Sequence, residues 1–173
     1  MIDIRFKPLE FSDIPTIHQW FNKPHVQAFY SLKPWTEAEV FEKLKPYILS
    51  DKPVNGFVVL MNQQPIGYVQ YYKVKDYPWV NQNLSEDIIE HGAGMDLFIG
   101  EEQFIGKGLG SDIISEFLDT IIWPQFQYCL VDPDVNNRAA IRCYEKLKFE
   151  EHMIIKSEDA LGRATQLKLM TLK

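Results

Sequence analysis

Gln103-Phe104-Ile105-Gly106-Lys107-Gly108-Leu109-Gly110 is the stretch on which the reading of this chain turns. An apolar run of strand character, Met95-Asp96-Leu97-Phe98-Ile99, precedes it, and a periodic apolar pattern from Leu109 to Ile122 follows. A chain that passes from strand to helix through glycines leaves the first-turn N–H groups uncovered. Those donors, with the positive end of the helix dipole, form an anion site suited to phosphate. Glycine loops also serve as plain turns, because glycine adopts positive φ cheaply. Spacing separates the phosphate motifs. The P-loop G-x-x-x-x-G-K-[ST] fails, since five residues separate Gly100 from Gly106 and Gly108 stands where the hydroxyl residue belongs. The dinucleotide fingerprint G-x-G-x-x-G fails too, because Gly106, Gly108 and Gly110 run G-x-G-x-G. What fits is Q-x-x-G-x-G, beginning at Gln103.

Outward from the loop, the pattern alternates between the two periods of regular structure. The following helix places Leu109, Ile113, Ile114, Phe117, Leu118, Ile121 and Ile122 on one apolar face. Tyr128 to Val131 reads as a short strand, Asn137 to Leu147 as a helix, and Phe149 to Lys156 and Ala164 to Leu172 as two last strands. Toward the N-terminus, Ile2 to Lys7 reads as a strand, and Ser12 is placed to cap a helix through Ile14, Ile17, His18 and Phe21. Thr36 and Glu39 form a capping box ahead of Val40, Phe41, Leu44 and Ile48. Phe57 to Met61 and Ile66 to Val74 are expected to form a hairpin across Asn62-Gln63-Gln64-Pro65. Lys75 to Gly94 shows no clear periodicity and reads as a long loop, more often a binding feature than a spacer. The order is strand, two helices, three strands, helix, strand, helix, two strands: an α/β domain around a mixed sheet.

The composition agrees. The 173 residues are 46% hydrophobic, enough for a core, and no linker or repeat interrupts them, so one domain spanning 1–173 is expected. A net charge of -6 and a pI near 5.2 argue against a non-specific nucleic-acid binder. Two cysteines, Cys129 and Cys143, make no disulfide framework and suggest a reducing compartment. The start of the chain lacks signal-peptide character, and no apolar run approaches the roughly 18 residues of a membrane span. A cytoplasmic location without membrane association is expected. His18, His25, His91 and His152 show no metal-ligand spacing, so no metal is expected.

The Q-x-x-G-x-G loop, together with this order of elements, resembles the GCN5-related N-acetyltransferases, whose loop grips the diphosphate of acetyl-coenzyme A. Three further stretches are similar to aminoglycoside 6'-N-acetyltransferases: Pro65-Ile66-Gly67-Tyr68-Val69-Gln70-Tyr71-Tyr72, Gly94-Met95-Asp96, and Ala140-Ile141-Arg142-Cys143-Tyr144-Glu145-Lys146-Leu147-Lys148-Phe149. The likeness covers Pro65 to Phe149 well and the N-terminal third loosely. Lys148 stands where family members usually carry glycine. Arg138 directly follows Asn137, one place earlier than the usual arginine, and no phosphate contact is carried over to it. The resemblance implies a mixed, mostly antiparallel central sheet flanked by helices, whose fourth and fifth strands splay apart. It implies acetyl-coenzyme A held by Gln103, Phe104, Ile105, Gly106, Lys107, Gly108, Leu109 and Gly110 at the diphosphate, and by the backbone of Leu97, Phe98 and Ile99 along the pantetheine arm. One of those N–H groups would face the thioester carbonyl as an oxyanion donor.

The individual residues each carry a structural and a functional reading. Tyr144 lies four residues after Ala140 on one helix face and is either a core tyrosine or, as in the family, the proton donor to the departing thiolate. Asn137 suits a helix N-cap, and the family role near the pantetheine is compatible with capping. Asp96 is disfavoured by propensity in an apolar strand and costly to bury unpaired. It either bonds a neighbouring turn or draws a proton from the substrate ammonium. Asp132 and Asp134 flank Pro133 as turn residues would, and Asp132 matches an acceptor-contacting carboxylate of the resembling enzymes. Trp79, Glu86, Asp87 and Glu90 of the long loop, and Asp159 of the last hairpin, are further acceptor candidates, with a solvated acidic face as the plainer account. Cys143 neighbours Tyr144 and points to another side of its helix. The expected partner is a small-molecule amine, most similar to an aminoglycoside 6'-amine, with the protein a monomer or weak homodimer. The rivals are a siderophore-precursor, other small-amine or protein N-acyltransferase, and a non-catalytic acyl-coenzyme A binding module.

Overall fold

A computed structural model describes residues 2–77 and 82–173. Seven strands run in the order β1-β2-β3-β4-β5-β7-β6: β1 Ile4–Pro8, β2 Val54–Met61, β3 Gln64–Lys73, β4 Gly92–Ile99, β5 Tyr128–Val131, β6 Glu150–Glu158 and β7 Ala164–Leu172. The pairing is antiparallel between β1 and β2, β5 and β7, and β6 and β7, and parallel between β4 and β5. This is the mixed α/β sheet expected. The helices are α1 Ile14–Phe21, α2 Pro24–Val26, α3 Glu37–Ile48, α4 Glu86–His91, α5 Leu109–Phe117 and α6 Arg138–Lys146, with π-helical turns at Gln27–Ser31 and Leu118–Ile122. Tertiary contacts group the chain into one unit of Met1–Tyr71 with Asp96–Lys107 and another of Tyr72–Met95 with Gly108–Lys173, the boundary passing through β4.

In the first unit, α1 and α3 lay Ile14, Ile17, Trp20, Phe21, Val40 and Leu44 over Val58, Tyr68 and Phe98 of the strands. Phe98 anchors this core, its ring meeting Trp20, Phe21, Tyr30 and Tyr68 with centroids 4.6–6.1 Å apart. The Thr36 box forms as read: Thr36 Oγ1 accepts from Glu39 N at 3.2 Å and Glu39 Oε2 accepts from Thr36 N at 2.7 Å. At α1 the cap differs from expectation. Asp13 Oδ2 accepts from Glu10 N at 2.9 Å in a box that opens a 3₁₀ turn, while Ser12 only donates to Glu10. Ser12 lies inside that turn, so it does not stand at a helix N-cap. The β2–β3 turn is tighter than expected, with Asn62 and Gln63 alone at positive φ, 48° and 68°, as a two-residue hairpin turn requires.

In the second unit, Val74, Leu130 and Leu169 centre a core with Leu84, Ile88, Ile89, Tyr128, Met153 and Ile155. The apolar face of α5 and its π turn is buried as expected at Leu109, Ile113, Ile114, Phe117, Leu118 and Ile122, with Ile121 half-buried. The stretch expected to be a loop contains α4, capped by Ser85, whose Oγ accepts from Ile88 N at 3.3 Å. α4 has six residues, too few for an apolar period to repeat. β4 pairs with β5 only at Gly92–Gly94 opposite Tyr128–Leu130, while β4 itself runs on to Ile99.

Candidate active site

The chain leaves β4 through Gly100 and a 3₁₀ turn at Glu102–Phe104 before the glycine loop. Gly106 and Gly108 have φ of 73° and 79°, a region that penalises any Cβ, and a Cβ built on either would meet nothing within 4 Å. Gly108 is the N-cap of α5 and supplies no side chain to its first turn. Backbone donors at the head of α5 therefore lack a side-chain cap, beside glycines with open space in front. An anionic diphosphate fits such a cradle. Gln103, Ile105 and Lys107 are exposed, Phe104 is half-buried and Leu109 is buried. Gly110 sits close to α6: a Cβ there would lie 3.2 Å from Cys143 Sγ.

Along β4, alternation turns Phe98 into the core and leaves Leu97 and Ile99 half-buried. The Ile99 carbonyl meets His25 Nε2 at 3.0 Å. Asp96 keeps some surface as a residue, but its carboxyl is packed round by protein, and that desolvation holds it above the usual carboxylate range. Two partners act the other way, a hydrogen bond from Gln70 Nε2 to Oδ2 at 3.0 Å and the Lys43 ammonium of α3. Lys43 is itself pushed down by burial and partly restored by Asp96. Among the described residues the carboxyl has no bond to a neighbouring turn.

On α6, Asn137 is the N-cap, its Oδ1 accepting from Ala140 N at 3.3 Å. Tyr144 is buried, with its ring 5.3 Å from that of Phe149. Two residues past the end of α6, Lys148 has φ of 70°, a left-handed conformation that favours glycine. Asp132 is half-buried after β5, and the Asp134 carboxylate takes bonds from Asn136 N and the Thr165 hydroxyl.

The remaining acidic candidates belong to α4 and to the β6–β7 turn. Asp87 accepts from the Tyr128 hydroxyl at 2.5 Å and meets His91 Nδ1 at 3.0 Å, and Glu90 pairs with Lys75 at 3.2 Å. Glu86 is exposed in the first turn of α4. Asp159 closes the β6–β7 turn, accepting from Leu161 N, Arg163 N and Arg163 Nε. Trp79 lies outside the described residues. Among the described residues no cluster suits a metal ion, and no helix is long and apolar enough to cross a membrane.

A family model for an acetyltransferase (GNAT) domain matches residues 11–156. The chain belongs to the GNAT acetyltransferase family. It is 27% identical over 153 residues to the aminoglycoside N(6')-acetyltransferase type 1 of Klebsiella pneumoniae, covering 85% of this chain and 74% of that protein. The crystal structure of aminoglycoside acetyltransferase AAC(6')-Ib in complex with coenzyme A is similar at a TM-score of 0.79 and 25% identity, over 100% of this chain and 95% of that one. The complex of that enzyme with paromomycin and acetyl-coenzyme A gives 0.80 at 25% identity, over 99% and 93%.

In this GNAT domain, four residues near the candidate positions escape the sequence reading: Tyr68, Gln70, Lys43 and His25. Tyr68 and Gln70 stand in a stretch that carries the resemblance, and Gln70 is a polar residue among buried neighbours on β3. That break in an apolar strand was the available signal. Lys43 and His25 gave none, because only the fold brings their helices to β4.

Proposed function

We propose that this GNAT protein is an acetyl-coenzyme A-dependent N-acetyltransferase whose acceptor is the 6'-amine of an aminoglycoside. Acetyl-coenzyme A supplies an acetyl group already activated as a thioester. Gln103 to Gly110 hold its diphosphate, the backbone of Leu97 to Ile99 its pantetheine arm, and Asn137 and Ala140 are further cofactor-binding residues. Asp96 takes a proton from the acceptor ammonium, since only the neutral amine has a lone pair. The amine nitrogen then bonds to the acetyl carbon, the carbon–sulfur bond breaks as the Tyr144 hydroxyl gives its proton to the departing thiolate, and the nitrogen's surplus proton leaves to water, from which the Tyr144 phenolate is reprotonated. No acyl-enzyme is required, because positioning two bound reactants supplies much of the rate.

The observation that carries this reading is Asp96, a desolvated carboxyl on the strand that leads into an open glycine cradle. Likeness to the Klebsiella enzyme supports the acceptor class. Asp132, Glu86, Asp87, Glu90, Asp159 and Trp79 are proposed to add acceptor affinity rather than chemistry. The family match runs from residue 11 to 156, through both contact units, which supports one acetyltransferase domain. With Cys129 and Cys143 as its two cysteines the chain has no disulfide framework, which supports a cytoplasmic location.

The test is thiol release from acetyl-coenzyme A with aminoglycosides, polyamines, siderophore precursors and peptides as acceptors. Aminoglycosides should turn over fastest, with product acetylated at the 6'-amine. Turnover of a singly charged amine with none of any aminoglycoside would overturn the acceptor and leave the acetyl transfer standing.

A further inference from the structure

Two hydrogen bonds lead inward from the Asp96 carboxyl. Asp96 Oδ2 accepts from Gln70 Nε2 at 3.0 Å, and Gln70 Oε1 accepts from the Tyr68 hydroxyl at 3.0 Å. Tyr68 and Gln70 are two apart on β3, so both side chains leave the same face of the strand. Asp96 Oδ1 accepts no hydrogen bond from a described residue.

A primary amide is a donor at one end and an acceptor at the other, and which end faces a carboxyl group matters. The NH₂ end favours the carboxylate; the carbonyl end favours only the protonated acid. Here the phenol decides. Tyr68 is 1% exposed, and burial holds its hydroxyl far above the ordinary phenol range, so the proton stays on. Gln70 Oε1 is the acceptor it has among the described residues. With the amide reversed, Gln70 would donate to the phenol and the buried O–H would be left without an acceptor, which is costly. The ring tip has its place because β2 carries glycine there: a Cβ at Gly56 would overlap the Tyr68 hydroxyl.

We propose that Tyr68 and Gln70 are positioning residues for proton removal: the Tyr68 hydroxyl locks the Gln70 amide with its nitrogen on Asp96 Oδ2, keeping Asp96 ionised and leaving Oδ1 without a hydrogen bond for the acceptor ammonium. The proposal rests on the reading of Asp96 as the proton acceptor. The other groups that bear on Asp96 within its unit are Lys43 of α3, with Lys52 acting on Lys43 and Tyr47 on Tyr68. All three stay in place in the variants used.

The experiment is the pH dependence of kcat/KM with acetyl-coenzyme A and kanamycin, for wild type, Gln70→Met, Tyr68→Phe and Asp96→Asn. One acceptor throughout makes its own titration common to every profile. Losing a donor to the carboxylate favours the acid, so the acidic limb should move to higher pH. Gln70→Met should move it by about one unit, and Tyr68→Phe by less in the same direction, because the amide is then free to turn. Coenzyme A affinity, measured by calorimetry, checks that each variant is folded. Folded variants with an unmoved limb would overturn the relay. A limb moved by Gln70→Met but not by Tyr68→Phe would overturn the lock. Asp96→Asn tests the underlying reading separately: a variant that keeps the wild-type acidic limb removes Asp96 as the base, whatever the other two do.

Discussion

Tyr144 separates packing from chemistry within one side chain. Its ring belongs to the core against Phe149, and its hydroxyl is the proposed acid. Tyr144→Phe keeps the ring and removes only the proton donor. Turnover should fall by about 10²–10⁴-fold, the usual contribution of a general acid, with little change in KM. A variant turning over like wild type would leave Tyr144 a core residue. Both polar residues picked out at this scale, Asp96 and Asn137, were legible because each breaks an apolar or helical pattern where it stands. Gln70 was present in the reading as part of a resemblance, yet its task was invisible. Its partners are a strand neighbour and a residue on another strand, and cross-strand partners depend on a register that sequence does not print.

Elements were read well where one chemical device sets their limits. Thr36 and Glu39 fixed the start of α3 through reciprocal bonds, and Asn137 fixed the start of α6. α4, α2 and the π turn after α2 were missed because three to six residues show no period. Their stability comes from what they pack on. In the glycine loop the conformation was legible at Gly106 and Gly108, whose φ of 73° and 79° favours glycine, whereas its diphosphate role remains the proposal. Gly108→Val tests it as an element. The substitution forces a β-branched residue to φ of 79° and puts its side chain into space now clear to 4 Å. Coenzyme A affinity should drop by at least tenfold while α5 stays folded on its buried face, an effect of the size expected from one lost strong contact. Calorimetry with unchanged affinity in a folded variant would move the diphosphate elsewhere.

At the scale of the whole molecule, Asp96 sets activity against stability. Its folded-state carboxyl is held above the unfolded value, mainly by desolvation. Below pH about 4 the group is protonated in both states and costs nothing. As pH rises through the raised folded value, the folded protein must carry a desolvated charge, and stability is lost. Asp96→Asn keeps the size and an acceptor oxygen for Gln70 without the charge. Denaturant midpoints should therefore show the variant more stable than wild type at pH 7, with the gain vanishing toward pH 4. A constant difference at both pH values would mean that packing rather than ionisation separates the two proteins. Trade-offs of this kind are common where a site keeps a group the fold would rather exclude.

The two thiols of this chain have unequal access, and that bears on how its turnover is followed. Cys129 is fully buried in β5, whereas Cys143 is half-buried on α6 with its sulfur against the first turn of α5. Aromatic disulfide reagents, the customary colorimetric reporters of coenzyme release, react with accessible protein thiols as well as with the product. On this protein the reporter is expected to reach Cys143 and wedge a bulky aryl group beside Gly110 of the proposed diphosphate loop, throttling the reaction it was added to watch. Continuous traces would bend downward with reagent dose rather than with substrate depletion. A Cys143→Ala background, or an end-point readout quenched before the dye is added, separates the clock from the brake.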